Sequence, residues 1–270
     1  MAPELTAHDR KAMTAAPILF DYLPIERILD AFSKAPGNEI NRGKLSSPES
    51  SAALAANTFG LFLDRPQDLP PIPGVADDSW PPSCVAIERC VRFPWSGGLH
   101  PWLDAYVETQ TSIIGIESKR YEPFREKPAG SFSKAYLRRV WGDQMGPFER
   151  MRDRIAAGEA RFERLDAAQL VKHAFGLRTE AQRRRKPATL VYLYAEPKAW
   201  PDGRPIAPAA TATHAAEARA FASDVQGAEV AFVTCTYGTF LDALGTSPLD
   251  DVRAHAARID ATFLPGPPRA

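Results

Sequence analysis

Three strand patterns follow one another in the middle of the chain with short connections. They cover residues 84–93, 103–108 and 113–119, and Gln110 and Thr111 form the polar tip between the last two. Parallel strands need a crossover of about a dozen residues or more, usually a helix, so strands this close should pair antiparallel. The sequence therefore predicts an antiparallel meander. The apolar face of the first strand would comprise Val85, Ile87, Val91 and Phe93.

A second strand-rich region lies toward the C-terminus. Residues 189–195 and 229–235 are nearly continuous apolar runs, and residues 214–224 between them have a helical pattern. A strand, helix and strand in this order predict a right-handed parallel crossover. The helix before this unit should begin at Asp166, a residue type that caps helices well. Its apolar stripe comprises Leu165, Ala168, Val171 and Phe175.

The remaining segments have helical patterns. Residues 25–32 and 249–263 have helix-spaced apolar side chains, and residues 131–183 are predicted to be helical in several pieces. Ser46 and Glu49 have the spacing of a capping box at the start of a further helix that ends near Gly60.

The length of the chain fits one elaborated domain. We expect a single domain over residues 1–270 with its core at about 45–235. A helical extension over 1–44 and a C-terminal helix and tail over 246–270 would complete it.

Charge and cysteine content limit the classes of partner and compartment. Lys plus Arg total 33, as do Asp plus Glu, so no net charge attracts the whole chain to nucleic acid or to an anionic membrane. The three cysteines form no C-x-x-C pair, which favours a reducing compartment. There is no secretory signal pattern and no apolar run near the roughly 18 residues of a membrane span. We expect a cytoplasmic protein without a membrane partner.

The residues best suited to chemistry lie on the second and third strands. A tight turn at Gln110 and Thr111 would place Asp104 opposite Glu117. Lys119 would share the face of Glu117 because strand side chains alternate. Two close carboxylates repel each other unless a hard cation lies between them. The patch therefore predicts a Mg²⁺ site, with Mn²⁺ as a substitute ion.

Such a site has the components of metal-assisted phosphodiester hydrolysis. Magnesium would stabilise charge that develops on a phosphate oxygen, and the lysine would position or activate water. The simpler alternative is a salt-bridged sheet surface. We favour the functional interpretation because residues 113–116 look buried on both faces, and ionised groups at the end of such a strand need a reason to be there.

The same residues resemble the signature of the PD-(D/E)XK nuclease superfamily. That signature is an aspartate at the start of one strand and an E-x-K triplet on the next, as in Asp104 and Glu117–Lys119. The similarity spans about residues 45–235 and implies an α/β, restriction-endonuclease-like core of order α-β-β-β-α-β. Its mixed central sheet would be flanked by helices, with N-terminal and C-terminal helical additions.

Further residues relate the chain to a bacterial branch of that superfamily. A serine-rich helix ends in Asn-Thr-Phe-Gly at residues 57–60, and Gln169 lies on the helix after the strands. The chain departs from the signature because Trp102 and Leu103 separate Pro101 from the aspartate. The resemblance implies that Gln169 assists catalysis.

Three residues are candidates for auxiliary roles, and each has an alternative. Glu49 could supply an additional acid on the first helix of the core, or it could only cap that helix. Glu88 could complete the metal shell or lie on a solvated strand edge. His173, one turn after Gln169, could hold a substrate phosphate or orient water, or be an ordinary surface histidine.

Two basic runs are candidates for contacts with nucleic-acid phosphates, since clustered cations release counterions from the backbone. The alternative is that they are solvated helix ends. They comprise Arg138, Arg139, Arg183, Arg184, Arg185 and Lys186.

The leading hypothesis is a magnesium-dependent nuclease that acts on DNA or RNA, with Asp104 and Glu117 as metal ligands. A second is a catalytically inactive protein of the same fold that binds nucleic acid or a protein partner. A third is an enzyme that acts on a small molecule, which the neutral net charge keeps open.

Overall fold

A five-stranded mixed sheet forms the centre of the computed structural model, which describes residues 18–37, 39–76, 79–125 and 130–264. The strands β1 to β5 are Cys84–Cys90, Trp102–Glu108, Ile113–Lys119, Ala188–Tyr194 and Val230–Thr236. Their order in the sheet is β1-β2-β3-β4-β5. The first three strands pair antiparallel, and β3–β4 and β4–β5 pair parallel. The predicted meander and the predicted parallel pair are both confirmed.

Helices cover both faces of this sheet. In chain order they are α1 (Ile25–Lys34), α2 (Ser51–Gly60), α3 (Gly146–Ala156), α4 (Ala167–Arg184), α5 (Pro208–Asp224), α6 (Tyr237–Gly245) and α7 (Asp250–Phe263). Helices α1, α2, α6 and α7 pack on one face, and α3, α4 and α5 pack on the other. The succession α2-β1-β2-β3-α4-β4 confirms the predicted α/β architecture. Within the described ranges, no helix combines the length and apolar character needed to cross a bilayer.

Aromatic stacking strengthens the packing on each face of the sheet. Phe59 and Phe240 stack with 5.6 Å between ring centroids on the α2 side, and Trp141 stacks on Phe175 at 4.1 Å on the α4 side. Each buried ring removes roughly 150–250 Å² of surface from water. Because β3 lies between both clusters, its first six residues are buried, as the sequence predicted for 113–116. The end of β3 is thereby held in place from both sides.

The strands β2 and β3 have the register that the turn predicts. Glu108 lies opposite Ile113, and three further pairs follow in the same register. The regular ladder ends before Asp104 and Glu117. There the Oδ2 atom of Asp104 accepts a hydrogen bond from the backbone N–H of Ser118 at 2.6 Å. The side chain of Asp104 thus takes the place of a backbone acceptor at this end of the sheet.

The predicted single apolar face of the first strand is wrong. Ile87 packs in the cluster on the α2 side, whereas Val91 and Phe93, just after β1 ends at Cys90, pack on the α4 side. The change occurs at Glu88, whose φ of 48° lies in the left-handed region. This turn of the backbone places Glu88 beside the candidate site described below.

The predicted capping box is also wrong. Ser50 caps α2, because its hydroxyl accepts the N–H of Ala53 at 3.0 Å. Its own N–H donates to the carbonyl of Ser47 at 3.0 Å, so a turn occupies the segment in which the helix was expected. Ser46 and Glu49 therefore precede the helix. Several serines precede α2, and the Ser46–Glu49 spacing does not show which of them caps the helix.

Other helix predictions hold in part. Asp166 caps α4 as predicted, accepting the N–H of Gln169 at 2.9 Å. Residues 131–145 contain only short 3₁₀ turns instead of α-helix. Helix α6 was not predicted, because it follows β5 directly with Thr236 as the cap and no loop residues mark its start.

His255 gives the fold a pH-dependent stability. Its Nδ1 accepts from the Tyr22 hydroxyl at 2.7 Å, and its Nε2 lies 3.3 Å from the carbonyl oxygen of Thr58, which suits the neutral ring. Burial lowers the pKa of His255 to about 4. The unfolded state then binds more protons between pH 6.5 and 4, so this contribution is present above pH 6.5 and is lost as the pH falls through 4. The loss should be about 3 kcal/mol.

Urea unfolding at pH 7 and pH 4 tests this expectation. The wild type should lose about 3 kcal/mol more than His255→Gln over this interval, because the variant lacks the titrating ring. Tyr22→Phe serves as control, since it removes the hydrogen bond and leaves the buried imidazole. Equal pH slopes for wild type and His255→Gln would contradict the assignment.

Candidate active site

A cavity of about 520 Å³ opens at the ends of β2 and β3, beside α4. All seven polar residues predicted from the sequence as catalytic, metal-binding or auxiliary line it. They are Glu49, Glu88, Asp104, Glu117, Lys119, Gln169 and His173.

Glu117 is the most enclosed of these groups. Its Oε1 forms an ion pair with the Nζ of Lys119, and its Oε2 lies 2.9 Å from the Nδ1 of His173. Burial alone would raise the pKa of Glu117, but the nearby Lys119 and His173 outweigh burial and hold that pKa below its usual range. For Lys119, burial works toward a lower pKa, and Glu117 with Asp104 raises it instead. Glu117 and Lys119 are therefore both charged.

Asp104 has the opposite electrostatic character. Burial raises its pKa well above the usual range, and the carboxylates of Glu117 and Glu88 raise it further. Lys119 and the N–H of Ser118 offset only part of this effect. Asp104 is thus a carboxylate with too little nearby positive charge.

Glu88 lies on the wall of the cavity and not on the solvated strand edge considered in the sequence analysis. Burial, Glu39 and Glu117 raise its pKa to about 8, and Lys119 opposes them. The left-handed backbone at Glu88 and its position in β1 bring a third carboxylate toward Asp104 and Glu117.

The other candidates have more varied surroundings. His173 is buried beside Glu117, so the alternative of a surface histidine is wrong. Gln169 lines the cavity one helical turn before His173. Glu49 also faces the cavity but forms an ion pair with Arg125.

Two further residues beside the site, Arg120 and Glu122, were not predicted from the sequence. Arg120 is 5% exposed, and its guanidinium donates to the carbonyl oxygens of Pro48 and Phe263. Glu122 accepts the Ser51 hydroxyl and the N–H of Arg120 and lines the cavity. The spacing of three residues between Lys119 and Glu122 is the sequence signal that could have placed Glu122 near the site. Spacing alone does not show that the chain turns back after β3.

The basic candidates do not form one surface. Arg184 and Lys186 pair with Glu108, at 2.7 and 2.8 Å, at the end of β2 away from Asp104. Arg138 packs over Trp95 with 4.9 Å to the ring centroid. Arg185 forms the left-handed cap of α4, and Arg139 lines a separate cavity beside α3. Of these six basic candidates, only Arg183 lines the cavity adjacent to the candidate site.

The carboxylates of the cavity are suitable ligands for a hard cation, but they are not arranged as a complete metal site. Among the described residues, no three His, Cys, Asp or Glu side chains lie together in a metal-binding arrangement. Asp104 has its single hydrogen-bond donor in the described chain at Oδ2, which leaves Oδ1 free, and carboxylate oxygens are the ligands that Mg²⁺ prefers. For Glu117 to join it, the carboxylate would have to exchange Lys119 or His173 for the ion.

A family comparison gives an independent finding. Residues 24–257 match a family model described as Restriction Endonuclease associating with ARP. The chain belongs to this REase-ARP family. The match extends from the residue before α1 into α7 and contains every residue that lines the cavity. Membership of REase-ARP makes the chain a restriction-endonuclease-like protein. Searches of curated proteins and of solved structures gave no match.

The enclosed carboxylates should reduce the stability of the fold. Glu88 holds its proton in the native state up to about pH 8 and loses it near pH 4.5 when unfolded. Native protein therefore binds more protons in this interval, and stability falls as the pH rises from 4.5 to 8. Glu88→Gln should raise the free energy of unfolding by about 4 kcal/mol at pH 8 and by less than about 1 kcal/mol at pH 5.

Urea unfolding at both pH values measures this difference. Glu159→Gln is the matched control, because Glu159 is exposed on the segment after α3. An equal effect of Glu88→Gln at pH 5 and pH 8 would rule out an uncharged Glu88 in the native protein.

Proposed function

We propose that the chain is a metal-dependent phosphodiester hydrolase of the PD-(D/E)XK kind that acts on nucleic acid. The carrying observation is the convergence of Asp104, Glu117 and Lys119 on one cavity in a restriction-endonuclease-like protein. Each of the three comes from the strand position that the PD-(D/E)XK signature requires.

Asp104 and Glu117 are the residues that would hold magnesium. The raised pKa of Asp104 reports a buried site where negative charge is in excess, and a divalent cation would neutralise that excess. When bound, the ion would supply electrostatic stabilisation of charge on a phosphate oxygen. His173 holds one oxygen of Glu117 and so positions the carboxylate.

Lys119 would orient the attacking water and stabilise charge. Its ion pair with Glu117 and the neighbouring Asp104 raise its pKa, so the ammonium keeps its protons at neutral pH. A protonated lysine donates hydrogen bonds and cannot accept a proton from water. Of the two roles considered for Lys119, the structure favours positioning over activation. Gln169, on the wall formed by α4, could hold the same water or a substrate oxygen.

The second candidate is a non-catalytic binding protein with the same fold. Glu117 is already compensated by Lys119 and His173, so this carboxylate is stable in the fold without an ion. The family description also names association with ARP, which suggests a partner for this chain. Metal affinity and turnover separate the two candidates.

Alanine variants of the two central residues test the hydrolase proposal. Asp104→Ala and Lys119→Ala should each lower Mg²⁺-dependent cleavage at least about 100-fold, since each removes charge stabilisation of the transition state. The assay measures cleavage of plasmid DNA, linear duplex, single-stranded DNA and RNA with Mg²⁺ or Mn²⁺.

Matched controls are Asp242→Ala on α6 and Lys134→Ala, whose side chains are exposed. Circular dichroism checks that all variants fold. Absence of cleavage of every substrate, or full activity of both site variants, would remove the hydrolase assignment.

Metal binding should also stabilise the fold. At a Mg²⁺ concentration ten times the Kd, the free energy of unfolding should rise by about 1.4 kcal/mol, or a few degrees in Tm. Differential scanning calorimetry with EDTA and with Mg²⁺ measures this shift, which Asp104→Asn should abolish and Asp242→Asn should preserve. An unchanged Tm together with no calorimetric heat of Mg²⁺ binding would favour the non-catalytic candidate.

A further inference from the structure

A second cavity, of about 460 Å³, lies beside the candidate active site. Five basic and three acidic side chains contribute to its lining, in a chain whose total charge is balanced. The five basic residues are Arg27, Lys34, Arg89, Arg92 and Arg183. We refer to it as the basic cavity.

The basic cavity and the candidate active site share a wall. Glu88 and Trp102 line both cavities. Glu88 precedes Arg89 in β1, and Trp102 precedes Asp104 by two residues in β2. An extended polymer that passes over Glu88 and Trp102 would therefore contact both cavities.

Positive charge is in excess on the side of the basic cavity near α4. A single carboxylate, Glu180, lies 3.6 Å from Arg89, 3.8 Å from Arg183 and 2.7 Å from Arg184. Because Arg184 also pairs with Glu108, Glu180 is left to Arg89 and Arg183, and one carboxylate cannot neutralise two guanidinium groups. By contrast, Arg27 and Lys34 each have an acidic partner of their own, Asp64 and Asp30.

Arg92 is the cation best placed to bind an external anion. Its side chain is exposed and forms no ion pair with any residue in the described ranges. The guanidinium of Arg183 donates to the carbonyl oxygens of Arg92 and Phe93, at 3.1 Å each. Arg183 thus fixes the backbone from which Arg92 projects. Planar guanidinium groups match phosphate oxygens in two-point contacts.

We propose that the basic cavity binds backbone phosphates of a nucleic acid whose scissile bond lies in the candidate active site, with Arg89 and Arg92 as the contacting residues. This inference rests on the proposed function. The inference also gives the path of the bound substrate. The substrate strand would run from the candidate site across Trp102 toward the end of α4 that carries Arg183.

Binding measured apart from cleavage tests the inference. Fluorescence anisotropy of labelled duplex DNA, single-stranded DNA and RNA in EDTA gives Kd as a function of salt concentration. At 0.1 M salt, Arg92→Gln should weaken binding about five- to tenfold, and the salt slope should fall by about one. Arg89→Gln should act in the same direction, and Arg92→Lys should retain most of the affinity. The control is Arg161→Gln, because Arg161 is exposed and, within the described ranges, donates to the carbonyl of Gly158 alone; this variant should bind as the wild type does.

The outcomes separate this inference from the proposed function. Arg92-dependent binding without any cleavage would support the basic cavity and refute the hydrolase. Cleavage with unchanged Kd and salt slope in Arg92→Gln and Arg89→Gln would refute the basic cavity and leave the hydrolase standing. Failure of all three labelled nucleic acids to bind the wild type would overturn the inference. Thermal unfolding of Arg92→Gln should match the wild type, because no ion pair is lost.

Discussion

The ion pair between Glu117 and Lys119, at the end of a strand buried on both faces, is the contact around which the candidate site is organised. A buried carboxylate is costly unless charged and hydrogen-bonded groups compensate it. Lys119 on the same strand and His173 on α4 provide that compensation from two directions. The contact of Glu117 with His173 therefore holds α4 against the end of the sheet. The cavity lies beside this contact.

Compensation is uneven across the three neighbouring carboxylates. Glu117 contacts both Lys119 and His173, whereas Asp104 and Glu88 have raised pKa values in the same cavity. A protein selected for stability alone would not keep such groups together, since each costs free energy at neutral pH. Two carboxyl groups with raised pKa values beside the charged Glu117 are an expected property of a site that recruits a cation, and they support the functional interpretation over a salt-bridged surface.

Local sequence signals predicted the fold well and the surroundings of the site less well. Short connections and strand periodicity gave the meander, the β2–β3 register and the parallel pair, because each depends on neighbouring residues. The reversal at Glu88 and the contacts of Arg120 depend on residues far away in sequence, and no periodicity reports them. Asp104, Glu117 and Lys119 could be brought together from the sequence because one turn sets their register. His173 could not be, since its burial depends on how α4 packs on the sheet.

Arg120 has a bearing on how the chain can be handled. Arg120 directly follows Lys119 in sequence. Its guanidinium donates to a carbonyl oxygen in the loop before α2 and to the carbonyl oxygen of the last residue of α7. Shortening the chain into α7 would deprive this buried guanidinium of the Phe263 carbonyl and leave only that of Pro48, which costs about 1–3 kcal/mol for each unsatisfied group. The C-terminal helix thus acts as a clasp for the strand that carries Glu117 and Lys119. Affinity tags and fusion partners at that end need a spacer long enough to leave the clasp closed.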